Sequence, residues 1–166
     1  TVMSNFGFLK AMEELGITHE QAPVGDRHVL KHMKETDSVL GGEPSGHIIC
    51  REFHTTGDGI IAALQLLRVM RIEGKALSEL SRVMTSFPQK LINVTVSDKP
   101  PIEEVDSIQE AIQAAEKKLG DNGRVLIRYS GTQPMCRVMV EGPTVSLTDS
   151  LASELANTVS RALGSA

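Results

Sequence analysis

The chain contains no tryptophan, one tyrosine and four phenylalanines, so aromatics make up 3% of its 166 residues. Single-stranded nucleic acids stack their bases on aromatic faces, and that platform is missing. Charge points the same way. Seventeen Lys and Arg against 21 Asp and Glu leave a net charge of −4, the wrong sign for holding a polyanion along its length, and no nucleic-acid partner is expected. Cysteine is scarce: Cys50 and Cys136 lie far apart, with no second pair to make a disulfide framework. That usage suits a reducing, cytoplasmic setting. No apolar run approaches the ~20 residues a membrane helix needs, and no secretory signal stands at the start, so no membrane partner is expected either.

What is present is 40% hydrophobic residue, sufficient for one good core or two small ones. Thr1-Val2-Met3 reads as a strand without an initiator Met, followed by a helical pattern at Phe6, Leu9, Met12 and Leu15 between an N-cap at Asn5 and a stop at Gly16. A unit entered at its strand suggests a piece of something longer. A short helix carries His28, Leu30, His32 and Met33. His28 and His32 stand at i, i+4, where a metal could bridge them, but without a third ligand nearby a solvated helix face is the better reading. An amphipathic helix is expected through Ile60, Ala63, Leu64, Leu67 and Met70, with Asp58 as its cap. A composition shift around Phe87-Pro88 places a domain boundary there. Beyond it come strand, helix, strand, strand and helix, a small α+β domain.

Two stretches carry chemistry. Arg128-Tyr129-Ser130-Gly131-Thr132-Gln133-Pro134-Met135-Cys136-Arg137 connects two apolar runs. Ser130 and Thr132 offer hydroxyls, Gly131 keeps the backbone amides uncovered, and Arg128 and Arg137 stand at the mouths. Paired guanidinium forks suit phosphate. An ordinary polar hairpin with arginines at its strand ends is the competing reading. The second stretch, Gly41-Gly42-Glu43-Pro44-Ser45-Gly46-His47, gathers an acceptor, a hydroxyl and an imidazole that match vicinal sugar hydroxyls. A turn whose polar groups cap their own backbone explains it equally well.

Taken in order, Thr1-Val2-Met3-Ser4-Asn5, Val24-Gly25-Asp26-Arg27, Gly42-Glu43-Pro44-Ser45-Gly46-His47, Thr55-Thr56-Gly57-Asp58-Gly59 and Arg128-Tyr129-Ser130-Gly131-Thr132 with Arg137-Val138-Met139-Val140-Glu141 resemble the α-D-phosphohexomutase family, nearest to its branch acting on glucosamine phosphates. The resemblance spans nearly the whole chain. Pro44, Tyr129 and Gln133 depart from the family's usual residues, and Pro44 leaves the choice of sugar open.

The resemblance implies an α/β plus α+β architecture. Residues 1–86 would be an N-terminally incomplete αβα sugar-binding third domain. Residues 87–166 would be a phosphate-binding fourth domain of TATA-box-binding-protein-like fold, with an antiparallel sheet and two helices. It assigns sugar binding to Glu43, Ser45 and His47, and phosphate binding to Arg128, Ser130, Gly131, Thr132 and Arg137, with Asp26 and Arg27 as possible accessories. The whole enzyme would pass a phosphoryl group between a phosphoserine and a hexosamine phosphate through a hexose 1,6-bisphosphate. That reaction would interconvert the 6- and 1-phosphates of an amino sugar used in cell-wall precursors. The phosphoserine and the Mg2+ ligands are expected in the enzyme's N-terminal domains, which would be this chain's partners. A phosphomannomutase or phosphoglucomutase of the same family, or a non-catalytic phosphosugar-binding module, is the alternative.

Overall fold

The structure, a computed structural model, describes residues 1–164. It divides into two compact units, Thr1–Thr85 and Ser86 onward.

The first unit holds helices α1 (Phe6–Glu14), α2 (Asp26–Glu35), α3 (Gly59–Glu73) and α4 (Leu77–Leu80), with one antiparallel pair of strands, β1 (Leu40–Gly42) and β2 (Ile48–Cys50). Asn5 caps α1, its Oδ1 accepting from the Gly7 N–H at 3.0 Å, and the helix gives way at Gly16. Asp58 caps α3, accepting from the Ile60 and Ile61 amides at 2.9 Å each. This answers the orphan donors that every helix start leaves. The core is small: Ala22, Val29, Met33 and Ile49. Gly41 belongs to it by its absence of a side chain, since a Cβ there would stand 2.8 Å from Val29 Cγ1 and collide with Met33.

Two expectations fail in this unit. Thr1-Val2-Met3 is a turn, closed by the Ser4 N–H on the Thr1 carbonyl at 2.9 Å. Its amino terminus reaches the Gly42 carbonyl of β1 at 3.4 Å without forming a ladder, and the Val2 amide goes to the Ala22 carbonyl. The helix expected to bury an apolar face, α3, has no buried residue, and Ile60 and Ile72 are 75% and 67% exposed. Apolar side chains lie on every side of α3, the pattern of a helix meant to be enclosed, and the two-stranded hairpin is too narrow to enclose it.

The second unit is a three-stranded antiparallel sheet in the order β3-β5-β4, from β3 (Gln89–Thr95), β4 (Arg124–Tyr129) and β5 (Met135–Glu141), with helices α5 (Asp106–Leu119) and α6 (Val145–Leu163). Alternation puts Val94, Val125, Ile127, Cys136, Val138 and Val140 on one face. There they meet Ile108, Ala115 and Leu119 of α5 and Leu151, Leu155 and Val159 of α6. The spacing of four along α6 makes a continuous stripe. Each such buried aliphatic side chain stabilises the fold by roughly 1.5–3 kcal/mol. The opposite face carries Arg124, Leu126 and Arg128 beside Met139, Arg137 and Glu141, and that face presents the candidate site.

Candidate functional site

Strands β4 and β5 meet through a five-residue loop, 130–134. On their polar face the register sets Arg124 opposite Glu141 and Arg128 opposite Arg137. At the far end Arg124 Nε donates to Glu141 Oε2 at 2.6 Å, and Glu141 is fully buried. At the loop end the same ladder sets two guanidinium groups against each other. Like charges directly opposite in a sheet cost roughly 0.2–1 kcal/mol. Burial, and after it the neighbouring Arg137, hold Arg128 below the ordinary arginine range, and it still stays cationic at neutral pH. Arg137 Nε is buried and has no hydrogen-bond partner, a situation that costs about 1–3 kcal/mol and more for a charged group. An anion at this rung would relieve both costs.

The loop above the arginines is held from below. Ser130 is buried, and its N–H donates to the Met135 carbonyl at 2.8 Å. The ammonium of Lys99 donates to the carbonyls of Ser130 and Gln133 at 2.8 and 2.9 Å. The Val96 amide donates to the Pro134 carbonyl, and the Tyr129 hydroxyl to Pro100 at 2.7 Å. Gly131 and Thr132 are exposed, and among the described residues their amides donate to no protein acceptor. A Cβ at Gly131 would meet nothing within 4 Å, so packing does not require glycine there. What the glycine leaves is open space above the amides.

In the first unit, the β1–β2 loop, 43–47, also has five residues. Ser45 Oγ and His47 Nδ1 are hydrogen-bonded at 3.1 Å, and Asp26 Oδ1 lies 3.6 Å from the same nitrogen. One carboxylate oxygen of Glu43 accepts from the Gly25 amide at 2.5 Å. Gly25, with φ +117°, adopts a backbone that side-chain-bearing residues avoid, and it leads directly into α2. The structure thus joins Ser45 and His47 to Asp26 and Glu43 to Gly25, while Arg27 sits exposed on the first turn of α2. The Glu43 side chain reaches another segment rather than the backbone of its own turn, and Ser45, Gly46 and His47 stay exposed around it.

Sequence reasoning missed Lys99 and the role of Tyr129. Lys99-Pro100-Pro101 has the composition of a connector, and the one available signal was the proline after Lys99, which confines that residue to extended backbone. His32 makes two long ion-pair contacts, to Glu20 at 3.8 Å and to Glu35 at 3.9 Å. Among the described residues no three His, Cys, Asp or Glu side chains gather as a metal would need, and no helix is long and apolar enough to cross a membrane.

Comparison with known proteins matches both units. The model of phosphoglucomutase/phosphomannomutase, alpha/beta/alpha domain III, covers residues 1–87, and that of the phosphoglucomutase/phosphomannomutase C-terminal domain covers residues 91–158. The phosphoglucosamine mutase of Syntrophobacter fumaroxidans is 52% identical over 164 residues, 99% of this chain and 36% of the relative. That of Chlamydia muridarum is 49% identical over the full 166 residues, again 36% of its length. The chain therefore spans about a third of the curated relatives it matches. Among solved structures, an N-acetylglucosamine-phosphate mutase in its product complex superposes with a TM-score of 0.73 at 21% identity, over 96% of this chain and 37% of that one. The Aspergillus fumigatus N-acetylphosphoglucosamine mutase, determined with GlcNAc-6P and magnesium, gives 0.72 at 18%, over 96% of this chain and 38% of that one. With both domain models matched in order and half the residues shared with these relatives, the chain belongs to the phosphoglucomutase/phosphomannomutase family, as its alpha/beta/alpha domain III and C-terminal domain.

Proposed function

We propose that the chain is the substrate-holding part of a phosphoglucosamine mutase, which interconverts glucosamine 6-phosphate and glucosamine 1-phosphate. The observation that carries this reading is the Arg128–Arg137 rung with its unpartnered Nε. Residues 87–166 hold the phosphate that is not being transferred, through Arg128, Arg137, the Ser130 and Thr132 hydroxyls and the amide of Gly131. Residues 1–86 hold the sugar hydroxyls through Glu43, Ser45 and His47, with Asp26 setting the imidazole and Arg27 within the same loop cluster. The names of the relatives support the amino sugar.

Neither loop breaks a bond. Each fixes one end of the substrate, so that the reacting oxygen meets the phosphorus without a search, and orientation of this kind removes a large share of a barrier. An Aspergillus relative has been determined with glucose 1,6-bisphosphate. A bisphosphate of this type suits a phosphate loop that must receive either end of the sugar in turn. Magnesium supplies charge neutralisation in such a transfer. The described residues offer it no ligand set. The metal ligands and the phosphoryl donor belong to the part of the relatives' length that this chain does not span, and this polypeptide alone should show no turnover.

Titration of the protein with inorganic phosphate, followed by amide chemical shifts, tests the reading. The Gly131 and Thr132 amides should move with a dissociation constant on the order of 1 mM, equivalent to about 4 kcal/mol. Arg128→Ala should abolish the movement, whereas Glu43→Ala should leave it and weaken only a sugar phosphate in the longer protein. No movement in the wild type, or equal movement in Arg128→Ala, overturns the assignment.

A further inference from the structure

The reading of loop 130–134 as a phosphate site leaves open what holds its amides outward, and we infer that Lys99 is the positioning residue that does so. The inference rests on that reading and adds a residue that does not itself line the site. A trans peptide is planar, with its carbonyl and the following N–H pointing in opposite directions. Lys99 Nζ takes the Ser130 carbonyl at 2.8 Å. The N–H of the same peptide unit, that of Gly131, is thereby turned away from Lys99. The Gln133 carbonyl, 2.9 Å from the same ammonium, anchors the other end of the loop. One cation thus ties together two carbonyls that would otherwise be free to rotate toward the ligand and oppose an anion with their negative ends.

The lysine is itself well anchored. Its backbone N–H donates to Asp98 Oδ1 at 2.7 Å, and Pro100 restricts it to an extended conformation. Two residues earlier, the Ser97 amide and hydroxyl both donate to the Leu163 carbonyl at the end of α6, at 2.8 and 3.2 Å. On the loop side, Val96 is bonded to Pro134 and Pro100 receives the Tyr129 hydroxyl. The clamp therefore rests on the core helix, and a preorganised donor set binds without first spending free energy on ordering.

The test compares Lys99→Met and Lys99→Arg with the wild type, each titrated with inorganic phosphate at low salt and at 0.5 M chloride, with melting curves alongside. Lys99→Met should weaken phosphate about tenfold, or about 1.4 kcal/mol, with the loss persisting at high salt because it is one of geometry. Its free Gly131 amide should show a shifted resonance while Val138 and Val140 keep theirs. Lys99→Arg, which retains donors for both carbonyls, should recover most of the affinity. Three outcomes overturn the inference. If wild type and Lys99→Met bind phosphate equally while Arg128→Ala does not bind, the clamp falls and the phosphate site stands. A loss that vanishes at high salt makes Lys99 a distant charge rather than a positioning residue. If the wild type binds no phosphate, the reading of the loop falls and the clamp falls with it.

Discussion

The molecule builds two five-residue hairpin loops and supports them differently. Loop 130–134 rides on strands of six and seven residues, backed by two helices and a core whose members include Ile108, Val138 and Val159 at 0% exposure. Loop 43–47 rides on two strands of three residues each, over a core of four buried side chains. The first holds a pair of like charges in place because the sheet fixes both strands, and a long ladder with one packed face can absorb that repulsion. The second holds its polar groups through side-chain contacts to the start of α2, at Gly25 and Asp26. A site for a compact multivalent anion benefits from rigidity. On the proposed function, a site that accepts sugar hydroxyls in two orientations is served by side chains tied to one another.

The contrast breaks most completely where the larger core is cut. Leu155→Ala should cost roughly 2–5 kcal/mol and remove the phosphate-induced shifts with the fold of the second unit. Met33→Ala in the first unit should leave those shifts in place. Urea denaturation monitored by amide spectra distinguishes the two, and loss of the loop signals in Met33→Ala would show that the supports are not separate.

A smaller change sharpens the view of the charged rung. Arg137→Met removes the buried unpartnered nitrogen and the repulsion on Arg128, so the phosphate-free protein should gain up to about 1 kcal/mol. Its phosphate affinity should fall at least tenfold, because a charge-assisted hydrogen bond is worth roughly 1.5–3 kcal/mol. A variant that loses both stability and affinity would identify Arg137 as structural instead.

Alkaline pH should weaken the second unit. Burial pushes the Cys136 thiol up to about 11 from its ordinary 9.0. Burial first, and then the charges of Cys136, Asp98 and Glu103, raise Tyr129. Both groups bind protons more tightly when folded; the Cys136 contribution is complete below pH 9 and is lost as pH rises through about 11, and that of Tyr129 has the same sign. The full loss from Cys136 is on the order of 3 kcal/mol, at ~1.4 kcal/mol per unit. Arg128, lowered in the fold, acts with the opposite sign. Denaturation at pH 8 and 10.5 should show the drop, and Cys136→Ala should flatten it.

The smallest effect belongs to the first unit's longest helix. Asp58→Ala removes the acceptor for two amides and should cost about 1 kcal/mol without touching either loop. Thermal melting together with the phosphate titration checks both halves of that statement.

Much of this was legible along the chain because the signals are local. The caps at Asn5 and Asp58, the stripe of Leu151, Leu155, Val159 and Leu163, and the alternation through Val138-Met139-Val140 depend only on the period of a helix or a strand and on which side chains reach a neighbouring amide. The same locality misled at Thr1-Val2-Met3, whose apolar residues suit a strand but which folds as a turn, and at α3, whose apolar residues lie exposed.

The sequence by itself determined the kinds of residue brought to each loop, since two arginines flanking Ser130-Gly131-Thr132, and Glu43, Ser45 and His47 within five positions, are matters of spacing. Tertiary structure alone decided their relations. Only pairing in register sets Arg128 against Arg137 while Arg124 meets Glu141, because a slip of one residue would turn each side chain to the other face. Only folding carries Lys99 across 31 positions to the Ser130 carbonyl and brings Asp26 to His47, since contacts between residues far apart in the chain follow from packing and leave no period in the sequence to read.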